Sequence, residues 1–498
     1  MVTVPLAAFE PDKSRYNSAA TPEIINAVPT SDGWGPLNGT TVVYGVYYLL
    51  ANENLAPLLR EDGNYITVAA SFNAITSQAQ LVDDALGMFA CRKLDGTESV
   101  FVGTDTALYL FDRDSFAWED ASGSSAPYAG TGRWSFARFG QVVYAQNGVD
   151  PEQKFDVDTD TDFSDNATAP IGRTIAAVGD FLMRGGLVGY PARIQWSAIN
   201  DPQSNTATVK LSDYQDMPTG DEVMGIVPLS GGAHVWMLSA VHGMAFALTS
   251  EFVFTRQAID EVTGTSAPYS ICSIGQDDYV VYTDNGFIRF KSGSFTNIGE
   301  GKVNKWFLAN CDQNERQNIV ANVDPENNIV WFAYTNTDGD RRCLGYHYNL
   351  NRWCLSTLAI QASCIARTFA YNASTPIVDE DLRRFAMITD DRRLAYLMGD
   401  NLAATLTSNE LDFAPDRSII TSAALISDAQ DFTITHKTTD VRGGTFRTRS
   451  AVSPSSRSGR VPLRGDGRQH KLTVNISAGE EWSTATALDV EAKRTARS

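Results

Sequence analysis

The sequence predicts an all-β chain: a β-propeller-like domain of antiparallel meanders, with an extended N-terminal arm and a small C-terminal β module. Three observations lead there. The stretch Asn318–Ser356 reads NIVANVDPENNIVWFAYTNTDGDRRCLGYHYNLNRWCLS, with apolar runs IVANV, IVWFAY and CLGYHY and a fourth opening at Trp353. The turn signals between them are Asp324-Pro325-Glu326-Asn327-Asn328, Asn336-Thr337-Asp338-Gly339-Asp340 and Asn349-Leu350-Asn351-Arg352, so the runs form a four-stranded meander with tight hairpins. Weaker copies of this unit recur at a spacing of about forty residues, roughly six or seven times, which is a propeller-blade period. The first forty or so residues instead carry Phe9, Tyr16 and Trp34 among Pro, Asn, Ser and Gly, too many aromatics for a disordered tail.

In chain order, residues 1–87 form the arm and a platform segment. The arm is expected to pack on its own domain or on a neighbouring subunit. Helical spacing of Leu55, Leu58 and Leu59, and of Leu81, Ala85 and Leu86, predicts short helices over 53–62 and 77–87. Residues 88–405 form the propeller-like domain. Its strands run through ALGMFACRK, SVFVGTD and ALYLFDRDSFAWEDAS, then RWSFARFGQVVYAQ, then TIAAVGDFLMRGGLVGYPARIQWSAIND. Further strands fall around Val235–Leu238, Gly243–Leu248 and Phe252–Arg256, then in SICSIGQDDYVVYTDNGFIRFKSGSFTN, the Asn318–Ser356 meander, and a last unit closing near Asn401. Residues 406–498 form the C-terminal module, with strands in SIITSAALI, FTITHKTTDV, FRTRSAV, HKLTVNISA and ALDVEAKR. This module is locally rich in arginine.

The chain has 498 residues and a formal charge of −19, enough to build a large core and too acidic for a protein that coats nucleic acid. The same acidity suits a surface past which phosphate slides without sticking. The six cysteines, Cys91, Cys272, Cys311, Cys343, Cys354 and Cys364, form no C-x-x-C pair and no zinc spacing. They read as small buried apolar residues, although Cys343 and Cys354 lie in adjacent strands. No secretory leader and no apolar run of membrane-spanning length is seen, so synthesis in the cytoplasm is expected.

No catalytic constellation rises above background, and neither an enzyme activity nor a cofactor is expected. Asp156, Asp158, Asp160 and Asp162 alternate as at the start of a calcium loop, but the sixth position lacks Gly and the twelfth is Ala167. The alternatives are a weak metal site and a solvated acidic turn. Arg464-Gly465-Asp466 spells an adhesion tripeptide, read here with Gly467 as a hairpin turn. His234, His242, His347, His436 and His470 have no metal-ligand spacing, and no nucleophile elbow or phosphate loop is present.

The opening, through Phe9, Pro11, Asp12, Tyr16, Asn17, Asn26, Pro29, Gly33, Trp34 and Pro36, resembles that of tail nozzle and tail-hub proteins of short-tailed bacteriophages. The stretch IQWSAINDP, with Trp196, Ser197, Asp201 and Pro202, is similar to a W-S-x-x-x-D-P element of tail-hub proteins, and the closing WSTATALDVEAKRTARS resembles the ends of such chains. The resemblance implies a virion tail protein built on a β-propeller. It implies a homo-oligomeric ring, usually six-fold, below the head-to-tail adaptor, guiding or gating the DNA channel. Partners implied are the adaptor ring and tail fibre or needle proteins, with DNA passing unbound and no membrane segment. Phe9, Tyr16, Trp34, Arg457, Arg460, Arg464 and Arg468 are the candidate subunit or adaptor contacts. A carbohydrate-binding or receptor-binding propeller is the alternative.

Overall fold

The computed structural model describes residues 1–14, 20–42, 44–48, 74–78, 80–112, 117–130, 132–247, 253–367, 383–413 and 417–495, with 44–48 and 74–78 by backbone alone. The expected helix at 53–62, residue Tyr16 and the segment around Phe252 lie outside the described residues. The chain is all-β, with propeller-like four-stranded meanders, an extended arm and a C-terminal β module. It divides into two compact units, one made of Met1–Thr40, Tyr269–Ala359 and Met398–Ser498, the other of Thr41–Pro268 and Ile360–Leu397. Strands of the span 88–405 are thus shared between both units, while the arm and the C-terminal module belong to the same one.

In the unit of residues 41–268 and 360–397, the sheets follow the hairpin signals. Gly87–Arg92, Glu98–Gly103, Leu108–Asp112 and Ala117–Asp120 pair in sequence order, as do Ser135–Phe139, Val142–Gln146, Gln153–Asp156 and Ser164–Asp165. Gly172–Val178, Phe181–Leu187, Tyr190–Trp196 and Asp213–Asp216 form a third meander; Val223–Leu229, Gly232–Met237, Val241–Phe246 and Phe254–Asp260 form a fourth. Apolar faces of successive sheets stack on each other. Phe101, Trp134, Val143 and Phe155 share one core between the first and second sheets, and Met183, Trp196, Val235 and Phe254 share another between the third and fourth. Gly103 is needed here, because a Cβ would lie 2.2 Å from the Trp134 ring, whose indole N–H donates to the Thr104 carbonyl at 2.7 Å.

The helix expected over 77–87 does not form. Ala74–Gln78 is a strand, and the next strand starts at Gly87. Between them the Leu81 amide donates to the Arg392 carbonyl and the Leu86 amide to that of Gly103. Leu81 and Ala85 are buried, so their spacing reports burial of an extended segment whose backbone is satisfied by neighbouring strands.

The other unit begins like a pair of blades. Cys272–Gly275, Asp278–Thr283, Gly286–Lys291 and Ser294–Asn297 form one meander. The Asn318–Ser356 meander folds as Val320–Asp324, Ile329–Thr335, Arg341–His347 and Arg352–Ser356, in the expected order. Its turns place Asn328 and Asn351 in the left-handed region, at φ 55° and 52°, which asparagine tolerates better than most residues. Phe287 joins the two sheets, 4.8 Å from both Phe332 and Trp353.

Beyond Arg352–Ser356 the sheet continues through strands far away in sequence. Ile24–Ile25 pairs in parallel with Leu355 on one side and antiparallel with Ala404–Thr407 on the other, and Gln469–Ile476, Phe432–Thr439 and Arg447–Thr448 follow. A second sheet runs Val461–Gly467, Ser418–Ser427, Ala485–Arg494, Trp34–Pro36, Ala27–Pro29, with Val2–Pro5 also on Ala485–Arg494. Phe432, Ile434 and His436 of the first sheet and Val461, Leu463 and Gly465 of the second alternate buried with less buried neighbours, so the module is a sandwich of two β layers.

Candidate functional site

The arm is the feature the sequence singled out, and each residue of its opening pattern has a local task. Phe9 is wholly buried and meets Trp306 edge-on at 5.5 Å. Trp306 sits on the helix Asn304–Asn310, whose own N-cap residue, Val303, supplies no capping side chain. The arm supplies it: the Asp12 carboxylate accepts from the backbone N–H of Lys305 at 2.8 Å and of Trp306 at 2.7 Å, satisfying first-turn donors and complementing the helix dipole.

Asn26 is buried with φ 55°. Its side-chain oxygen accepts from the Thr357 amide at 2.9 Å and the Ser356 hydroxyl at 3.1 Å, and its amide nitrogen donates to the Ala403 carbonyl at 3.0 Å. One side chain thus ties the arm to the meander and to the strand that leads into the C-terminal module. Trp34 is wholly buried. Its indole N–H lies 3.1 Å from the Leu6 carbonyl, and the Arg352 guanidinium lies 4.7 Å from its ring centre. Arg352 also donates to the Thr30 and Gly33 carbonyls at 2.8 and 3.1 Å.

Phe9 and Trp34 were expected as possible subunit contacts. Both rings are buried inside their own chain, against Trp306 and Arg352 respectively. Of the arginines, Arg460 is likewise committed inward: it donates to Ser422 at 3.0 Å and to the Asp489 carboxylate at 2.9 Å. Arg457, Arg464 and Arg468 are exposed, and among the described residues none of the three has an acidic partner. Arg417, Arg442 and Arg447 are paired with Asp440 and Asp466, with Asp412, and with Asp440.

The Arg464-Gly465-Asp466 tripeptide is not at a hairpin. It lies inside the strand Val461–Gly467, which pairs with Ser418–Ser427, while the following strand Gln469–Ile476 belongs to the other layer. Gly465 faces inward, where a Cβ would fall 2.0 Å from the His436 ring. His436 and His470 touch across 2.9 Å through Nε2 and Nδ1, and His470 Nε2 meets the Ser418 hydroxyl at 2.9 Å. His436 Nδ1 is buried without a partner. Burial, then the charges of His470 and Arg449, pushes the His436 pKa down to about 3, and burial lowers that of His470. Both rings are therefore neutral core members at neutral pH.

Asp156–Asp162 form a self-capped acidic turn. The Asp156 amide donates to the Asp160 carboxylate at 2.9 Å and the Asp158 amide to that of Asp156 at 3.0 Å. Asp158 accepts from the Leu94 amide and from Gln141. Among the described residues no three His, Cys, Asp or Glu side chains are grouped to hold a metal ion. The six cysteines are free and buried. Cys354 lies opposite Gly345 and Cys343 opposite Ser356, so these two do not face each other. Burial raises the Cys91 thiol to about 11 and the Cys343 thiol to about 12, which removes thiolate reactivity near neutrality.

A further cluster went unread in the sequence. Arg184 and Glu152 have side chains with no exposed surface and pair through two parallel bonds of 2.6 and 2.8 Å. Asn166 donates to Glu152 at 2.7 Å, and Arg184 donates to Asn205 at 2.7 Å and to the Pro202 carbonyl at 3.0 Å. The W-S-x-x-x-D-P stretch thus has a local role: the Ser197 hydroxyl accepts from the Leu182 amide at 3.1 Å, and Pro202 closes the arginine's donor set. A charged residue inside FLMRGGL was the available signal.

No protein-family profile and no curated protein matches the chain. Similar solved structures include the extracellular domain of a hybrid two-component system from B. thetaiotaomicron, 11% identical with a TM-score of 0.34, covering 61% of this chain and 39% of that one. The chain therefore spans about two fifths of that relative's length. YCF48 bound to a D1 peptide is 8% identical with a TM-score of 0.32, over 80% of this chain and 99% of that one. The mitotic checkpoint complex gives 11% identity and a TM-score of 0.35, over 64% and 92%. Similarity at this level indicates neither a shared activity nor a shared partner.

Proposed function

We propose that the chain is a structural protein of a short-tailed phage virion, forming a ring, six-fold by the resemblance, that serves as the tail nozzle or hub below the head-to-tail adaptor. The observation that carries this reading is that the residues of the phage-like opening are the ones that fasten the arm. Phe9, Asp12, Asn26 and Trp34 each make a specific bond or buried contact within the unit that also holds the C-terminal module. A pattern that encodes a structural joint suits a scaffold.

Charge supports the same reading. At −19 per chain, copies in a ring repel passing DNA, so the duplex is guided without being bound. Exposed Arg457, Arg464 and Arg468 offer a local basic surface for an acidic neighbouring ring. No helix among the described residues is long and apolar enough to cross a membrane. The protein would be made in the host cytoplasm and act in the virion tail, beside the adaptor and the fibre or needle proteins.

Native mass spectrometry with negative-stain class averages, on the protein alone and with its adaptor ring, tests this. Six-fold rings with a central hole are expected. A monomer that never joins the adaptor, or a trimer, would contradict the proposal and turn attention to glycan or receptor binding.

A further inference from the structure

A cleft of about 300 Å³ opens between two hairpin turns of the third and fourth meanders. One turn is Gly179-Asp180, between Gly172–Val178 and Phe181–Leu187; the other is Ser230-Gly231, between Val223–Leu229 and Gly232–Met237. Its apolar side is a trio of phenylalanines. Phe181, Phe246 and Phe254 lie 5.4 to 5.9 Å apart, ring centre to ring centre. Phe181 and Phe254 are buried, 2% and 1% exposed, whereas Phe246 keeps 40% of its surface open. Gly179 and Gly231 add to the openness: a Cβ built on either meets nothing within 4 Å.

The cleft has one charged lining residue, Asp180. Its backbone carbonyl accepts from the Asn200 amide, but among the described residues nothing hydrogen-bonds or ion-pairs with its carboxylate. An unpaired carboxylate and a partly open phenyl ring thus line the same cleft. An anion is repelled by it, and a neutral apolar ligand uses the phenyl side alone. A cation with an apolar body uses both, pairing with the carboxylate and resting positive charge on the negative face of the ring. The volume suits a single small molecule, at the lower end of ligand-pocket sizes.

We propose that this cleft is a binding site for small organic ammonium ions, with Asp180 as counter-ion and Phe246, backed by Phe181 and Phe254, as aromatic wall. The proposal is independent of the virion reading. No part of it needs a ring, an adaptor or DNA.

The test uses the full chain and two probes, benzyltrimethylammonium and its uncharged carbon analogue neopentylbenzene, followed by ligand-observed NMR. Saturable binding of the cation is expected, with affinity at least about tenfold above the neutral probe, as a cation–π contact plus a charge pair would give. Asp180→Asn is expected to lower cation affinity about tenfold without changing neutral binding, and Phe246→Leu to weaken the cation with Asp180 intact. Asp180 is exposed and Phe246 partly so, hence both variants should fold; an unchanged near-ultraviolet circular dichroism spectrum checks this. Absence of saturable binding, equal affinity for the two probes, or indifference of the cation to Asp180→Asn would each overturn the proposal.

Discussion

The two units reach the same kind of sheet by different routes. In the unit of residues 41–268 and 360–397, the four meanders between Gly87 and Asp260 each join strands that follow one another in sequence. In the other unit, one sheet joins residue 25 to residue 355 and to residue 405, and the other joins residue 34 to residue 485. The difference teaches where specificity is stored. A local meander is fixed by turn chemistry and alternating side chains. A sheet closed by a distant strand has no turn to set its register and relies on particular side chains, here Asn26, Trp34 and Asp12.

The largest expected break comes from deleting residues 1–40. That removes four strands from the two long sheets and leaves Trp306 and Arg352 without Phe9 and Trp34. Loss of one buried aromatic alone costs about 3–5 kcal/mol, so calorimetry should show this unit's transition lost or displaced far downward while the meander unit still melts cooperatively. Next is Arg184→Ala, which strands Glu152 as a buried charge and should cost about 3–5 kcal/mol. Chemical denaturation should assign that loss to the meander unit, and replacing both partners with apolar residues should cost less than replacing one.

Asn26→Ala comes third. It removes buried hydrogen bonds and forces a left-handed residue to be alanine, for a loss of about 2–3 kcal/mol. Asn26→Gly should recover only the backbone share. Acid is the fourth lever and acts on the C-terminal module. His436 and His470 have pKa values depressed by burial, so the unfolded chain binds protons that the folded chain refuses. Their contribution is complete above about pH 6.5 and falls as pH drops from there, for His436 down to about 3, by up to about 1.4 kcal/mol per pH unit for each ring that stays neutral in the fold. Melting of His436→Leu against pH should give a shallower slope. The smallest effect is Asp12→Ala, which uncaps the helix Asn304–Asn310 and should cost about 1 kcal/mol.

The same division explains what could be read from the chain. The Asn318–Ser356 meander was legible because its turns are local, and the structure begins the last strand at Arg352, one residue before the expected Trp353. The helix Asn304–Asn310 was missed for a physical reason: its capping carboxylate, Asp12, lies 293 residues from Lys305. The helix expected over 77–87 failed because leucine spacing reports burial, and an extended segment buries leucines equally well. Arg184 with Glu152, and His436 with His470, are meetings of non-adjacent strands that no spacing rule announces. Trp34 and Phe9 stand out in the sequence as aromatics among turn formers, but the residues they meet, Arg352 and Trp306, are hundreds of positions away and no spacing announces them.

Amide hydrogen exchange at Asn26 tests the central claim most directly, since this amide donates to the Leu355 carbonyl at 2.8 Å and holds the arm in the sheet. In dilute protein, below any assembly, the account predicts protection at Asn26 comparable to that of the Ile329–Thr335 strand. Exchange at the rate of a free chain, with Ile329–Thr335 still protected, would contradict it and show that the arm is not held within its own chain.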